Sequence, residues 1–124
     1  LEAANHDVIT LCVQGTSQHL YATEATTVLP FNHVTLNDHV YADDSNHHFC
    51  ITDLKNNSFY LASNHKQFVQ LPNTPQDGWV ARLVDSVQLA TRFTCELIPN
   101  SDLVRLSTNN QSLGNAVLVL SKVA

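Results

Sequence analysis

Asp43, Asp44, His47 and His48 bring two carboxylates and two imidazoles together, the oxygen and nitrogen donors that a divalent transition ion accepts. No His-x-x-x-His or equivalent spacing fixes them in one place, and a solvated acidic turn accounts for the same residues. They are weak metal candidates, and neither a metal nor an organic cofactor is expected. A second combination is Gln76, Asp77 and Trp79. There the only tryptophan of the chain adjoins an amide and a carboxylate. A flat apolar ring beside such acceptors suits the C–H face and the hydroxyls of a sugar. The competing expectation for Trp79 is that it opens a strand and packs inward.

All seven histidines, His6, His19, His33, His39, His47, His48 and His65, lie in the first 65 residues, where Lys55 is the only Lys or Arg. Imidazoles titrate near neutrality, so the charge of that half depends on pH. Four of them follow asparagine, which is also ordinary loop composition. For nucleophilic catalysis the chain lacks Gly-x-Ser-x-Gly and has no histidine after His65, and a glycine-rich phosphate cradle is absent. A hydrolytic enzyme therefore ranks behind a binding role.

Charged residues make up only 14% of the chain against 44% hydrophobic, so its polar surface must come from Asn, Gln, Ser, Thr and His. That surface favours hydrogen bonding over electrostatic steering. With a net charge of −5 and 6 Lys plus Arg, the counterion-release drive for nucleic acid is largely missing, and DNA, RNA and anionic membranes are discounted as partners. No apolar run approaches the length of a membrane span. Cys12, Cys50 and Cys95 are odd in number and far apart, which suits small buried hydrophobes and tilts the expected compartment toward a reducing, cytoplasmic one. Sequons at Asn56-Asn57-Ser58 and Asn110-Gln111-Ser112 keep a secreted chain open.

The elements that must position these residues read as strands. Val8 to Val13 is β-branched and ends near Gly15, and His19 to Thr23 can return beside it. Val34 to Leu36 and His39 to Ala42 are expected to pair across Asn37-Asp38, with Asp43 to Asn46 an exposed loop. His48 to Leu54 precedes a turn at Asn56-Asn57, and Ser58 to Ala62 faces Gln67 to Leu71. Pro72 to Gly78 holds two prolines and Asp-Gly, which makes it the clearest loop. Trp79 to Val84, Arg92 to Ile98, Leu103 to Ser107 and Val117 to Leu120 complete the set, with a short helical turn open within Val84 to Ala90. No window carries a sustained helical period, so the expected class is all-β.

Two repeats overlie this pattern. Leu20-Tyr21-Ala22-Thr23, Val40-Tyr41-Ala42-Asp43, Tyr60-Leu61-Ala62-Ser63 and Trp79-Val80-Ala81-Arg82 recur about every twenty residues, the length of one hairpin with its loops. They read as the inward stripe of successive antiparallel ribbons. Phe49, within Asn46 to Leu54, also aligns with Phe93, within Leu89 to Leu97, forty-four residues on, and Phe59 to Ser63 aligns with Leu103 to Ser107 at the same interval. Hairpins of this length, grouped in such units and with a Tyr-Leu-Ala-Ser strand, resemble the β-trefoil superfamily of fascin-like, hisactophilin-like and ricin-B-like domains. The resemblance is one of pattern and spans roughly residues 8–120, although the third unit stops after about two strands and no Gln-x-Trp triplet is present.

The expected fold is thus one β-rich domain over residues 1–124, built from trefoil-like hairpin repeats and truncated in its third unit, with a longer parent chain left open. A two-sheet β-sandwich is the alternative. The expected function is non-enzymatic, lectin-like carbohydrate recognition through Gln76, Asp77 and Trp79. A protein partner is second and a hydrolase third.

Overall fold

The computed structural model describes residues 5–13, 15–38, 43–72, 80–97, 99–100, 103–108 and 117–123. Its strands are β1 (Val8–Val13), β2 (His19–Thr23), β3 (His33–Asn37), β4 (Phe49–Lys55), β5 (Ser58–Ser63), β6 (Phe68–Gln70), β7 (Arg82–Val84), β8 (Phe93–Leu97), β9 (Leu103–Thr108) and β10 (Val117–Val123). Short 3₁₀ turns occupy Ser45–His47 and Val87–Leu89, the second inside the stretch where a helical turn was expected.

All the pairings are antiparallel, and they close on themselves. One circuit runs β1–β4–β5–β8–β9–β10 and returns to β1 through Thr10 opposite Val123. A second shares β1, β4 and β5 and passes through the hairpins β2–β3 and β6–β7, which join each other where His33 faces Arg82. Closure leaves no open pair of stacked sheets, so the sandwich alternative falls. Two connections of the ring, residues 14–48 and 64–92, each carry a hairpin cap, whereas residues 109–116 join β9 to β10 in a fraction of that length.

Strand alternation supplies the interior. Phe49 and Ile51 of β4, Phe59 and Leu61 of β5, and Ile9 and Leu11 of β1 are all at most 2% exposed and share one core. The aligned phenylalanines occupy equivalent places. Phe49 lies opposite Ile9 across β1–β4, and Phe93 lies opposite Phe59 across β5–β8. The return strands are offset by one residue from the sequence alignment. Ile51 pairs with Leu61 and Cys95 with Leu106, so buried Leu106, not Arg105, is the counterpart of Leu61. A hairpin one residue longer between β8 and β9 causes the offset, and a one-residue slip exchanges the faces of a strand.

The tyrosine cassette is also used differently from expectation. In β2 the core side chains are Leu20 and Ala22, and in β5 they are Phe59 and Leu61, so Tyr21 and Tyr60 stand half-buried on the other face. A phenol on that face keeps its hydroxyl available for bonding. Residues 39–42 and Trp79 lie outside the described residues. The expected pairing across Asn37-Asp38 involves His39 to Ala42 and so lies outside the described residues, while β3 pairs with β2 from His19 opposite Asn37 to Thr23 opposite His33. Both are short strands with one buried face, and the longer loop 24–32 lets them meet directly.

Turn chemistry follows the residues closely. Asn56 and Asn57 take φ of 50° and 67° between the paired Lys55 and Ser58, the left-handed conformation of a two-residue hairpin turn that asparagine tolerates. Before that turn, β4 bulges: Asp53, with φ of 54°, and Leu54 sit between the pairs Thr52–Tyr60 and Lys55–Ser58. The turn after β5 closes through Lys66 N to Ser63 O at 3.0 Å and Ser63 N to Gln67 O at 2.7 Å, with exposed Lys66 at φ of 61°. A side chain gains nothing in that conformation. Lys66→Gly is expected to raise stability by about 0.5–1 kcal/mol in a urea titration, because relief of left-handed strain outweighs the added freedom of the unfolded chain.

Candidate functional site

The two hairpin caps meet where their inner strands join. β3 and β7 meet at His33 and Arg82, and the junction is tied by Val34 N to Ala81 O at 2.9 Å and Leu83 N to Asn32 O at 2.8 Å. One tip is the loop 24–32. The other connects β6 to β7 and contains Gln76, Asp77 and Trp79, which lie outside the described residues, as does most of the expected loop Pro72 to Gly78.

The described tip is held by several independent bonds. Thr26 N donates to Leu29 O at 2.8 Å and Leu29 N to Thr26 Oγ1 at 3.0 Å, a turn that leaves Val28 84% exposed. Beneath it the Arg82 guanidinium stacks 3.9 Å from the centre of the Phe31 ring. His33 is buried, meets Phe31 edge-on and donates from Nδ1 to the Phe31 carbonyl at 3.0 Å. An amide relay braces the other side: Asn32 Nδ2 donates to Gln67 Oε1 at 2.8 Å, and Gln67 Nε2 to Asp85 Oδ1 at 3.0 Å. Three separate segments are thereby fixed around one end. Sequence reading missed the Phe31–Arg82 stack, and composition alone carried no signal for it.

The four weak metal candidates sit at a different place, on the connection into β4. Asp43 is exposed. Asp44 caps the Ser45–His47 turn, accepting from Asn46 N at 3.0 Å and Asn46 Nδ2 at 2.9 Å on Oδ1, while the Tyr21 hydroxyl donates to Oδ2 at 2.5 Å. Asn64, from the turn after β5, donates to Asn46 Oδ1 at 3.0 Å and to Ser45 Oγ at 3.1 Å. The Tyr21 hydroxyl, helped by the Asn46 amide groups, holds the Asp44 carboxyl below the usual carboxylate range, and the same bond pushes the Tyr21 phenol up. This acidic stretch keeps Asp43 and Ser45 exposed, as a solvated loop would, but its Asp44 and Asn46 are bonded into a corner. Among the described residues no group of three or more His, Cys, Asp or Glu side chains is placed to hold a metal ion. The four residues are not read as ligands.

His47 is the unusual member. It is 6% exposed, and its Nδ1 has no hydrogen-bond partner. Its ring lies 4.3 Å from that of His48 and 6.0 Å from that of His19, centre to centre. Burial first, then the neighbouring His48 and His19, push its titration below the ordinary value of 6.5, against a smaller opposing pull from Asp44. The clustering of His19 with His47 is invisible in the sequence, because β2 and the 3₁₀ turn meet only in the folded chain. Cys12 is a buried strand residue whose thiol donates to the Thr16 carbonyl at 3.2 Å, and Cys50 is half-buried in β4.

No protein-family model matches the chain, and no curated protein matches it. Among solved structures it is similar to a designed 3-fold symmetric protein, ThreeFoil, at 11% sequence identity and a TM-score of 0.62, over 94% of this chain and 89% of that one. The closed strand ring, the hairpin caps and this likeness together give the chain a β-trefoil-like fold.

Proposed function

We propose that this chain is a non-enzymatic recognition module that uses the loops at the junction of its hairpin caps, with a carbohydrate as the ligand class. The observation that supports this is the braced β3–β7 junction at His33 and Arg82, which follows in the chain directly on the segment bearing Gln76, Asp77 and Trp79. Loops held on a rigid β scaffold commonly bind. An indole ring with a neighbouring amide and carboxylate offers a sugar both a stacking face and hydroxyl partners.

A protein partner is favoured by one feature of the tip 24–32, the 84% exposed Val28 on its doubly bonded turn. Monosaccharide competition on a glycan array separates the two. Saturable sugar binding that weakens about tenfold or more in Trp79→Ala supports the carbohydrate ligand. A wild-type chain with no sugar signal, together with a protein complex disrupted by Val28→Asp, replaces it. Turnover of a hydrolase substrate lost in the His47→Ala, His48→Ala double variant would restore the enzyme.

A further inference from the structure

We propose that His47, packed between His19 and His48, makes the Ser45–His47 turn an acid-sensitive latch that holds the segment 43–48 on β2 at neutral pH and releases it on mild acidification. His47 is 6% exposed, and its buried Nδ1 lacks a partner. A neutral imidazole accepts such a place, whereas an imidazolium there has a second N–H to satisfy and a charge to solvate.

The surrounding groups fix the direction of the response. From β2, His19 and Tyr21 face the turn; from its own segment, His48 and Asp44; from the turn after β5, neutral Asn64, with His65 and Lys66 exposed beyond it. A proton on His47 would stand beside the His48 and His19 rings, 4.3 and 6.0 Å away centre to centre, and both neighbours oppose it. Of the two described carboxylates in the segment, Asp43 is exposed and Asp44 is already committed to Tyr21 and Asn46. Asp44 stays ionised on mild acidification, because its own titration is displaced downward.

His47 is displaced downward as well, so the opened segment binds a proton before the closed one does. The latch is therefore fully closed above the ordinary imidazole value of 6.5 and weakens as the pH falls toward the lower value of the closed state. Each proton taken up on opening multiplies the open population by up to about ten per pH unit within that window. The bonds that report it are Asn46 N to Asp44 Oδ1 and His48 N to Ser45 O, both at 3.0 Å.

The test is amide hydrogen exchange by NMR at Asn46 and His48 from pH 7.5 to 5, corrected for intrinsic rates, with the imidazole signals followed in parallel. Protection at both amides should fall by up to about tenfold per pH unit below 6.5, while the Leu61 amide in β5 holds its protection, and His47→Gln should remove the slope. An unchanged slope in His47→Gln overturns the latch, as does a His47 ring that titrates no lower than an exposed histidine. Should His47→Gln fail to fold, His19→Asn and His48→Asn each remove one ring that opposes a proton on His47 and should each flatten the slope; a wild-type slope in both overturns the latch equally.

Discussion

Phe49→Ala is expected to destabilise the protein by about 3–5 kcal/mol, the range for truncating a fully buried aromatic side chain. Phe49 is 0% exposed and stands opposite both Ile9 of β1 and Ser63 of β5, so its ring fills the interior where the closing strands converge. Alanine leaves a void that neighbouring strands, locked in a closed circuit of pairing, cannot collapse into. Phe93→Ala should fall in the same range or slightly below it, because Phe93 holds the equivalent position but is 6% exposed. Val28→Ala, at an 84% exposed site, should change stability by less than about 0.5 kcal/mol. Urea midpoints of the three variants measure the contrast. A loss below about 1 kcal/mol for Phe49→Ala would mean that the interior does not centre on this ring. Domains of this size are stable by only about 5–15 kcal/mol, so the variant should unfold on modest heating.

Arg92→Ala is expected to cost about 2–4 kcal/mol, a large effect for a half-buried polar residue. Its guanidinium donates through Nη1 to the Asp53 carbonyl at 3.0 Å and to Ser58 Oγ at 3.1 Å, and through Nη2 to Asp53 Oδ2 at 2.5 Å. The same group lies 4.3 Å from the centre of the Tyr60 ring. Asp53 is the left-handed residue of the β4 bulge, so one planar fork pins the bulge and the hairpin turn to the entrance of β8. The ion pair itself contributes little, since the Asp53 side chain is 42% exposed and screened by water. The main-chain contact and the stacked ring contribute more. Arg92→Lys should recover only part of the loss, because an ammonium keeps the charge but not the fork. Full recovery in the denaturation midpoint would show that charge alone matters.

Hairpin repeats were readable because each depends on neighbours in the chain. Val8 to Val13 alternates and is β-branched, and it forms β1 without change; Asn56-Asn57 is a turn because both residues tolerate positive φ. Phe49 and Phe93 were matched correctly, since a large apolar residue opening a strand is a local mark. The return strand was matched one residue out. Nothing local distinguishes Arg105 from Leu106 as the inward residue until the hairpin length is known. The tyrosines were assigned to the interior for a similar reason: a large ring between apolar neighbours looks inward, yet here those neighbours take the core and the phenol bonds outward to Asp44.

The polar clusters were hardly legible at all. Tyr21 and Asp44 are 23 positions apart, and Asp53 and Arg92 are 39 apart, so no spacing rule connects them. The amino-acid order by itself determined the all-β class, the positions of most strands and turns, and the chemistry available in loops, because these rest on steric preference and on apolar alternation over a few residues. Tertiary structure alone decided which strand partners which, that the ring closes through β10 and β1, and that His19 meets His47. Those outcomes depend on how many residues each connection spans and on which surfaces must share one interior, and both are settled only when the whole chain is packed at once.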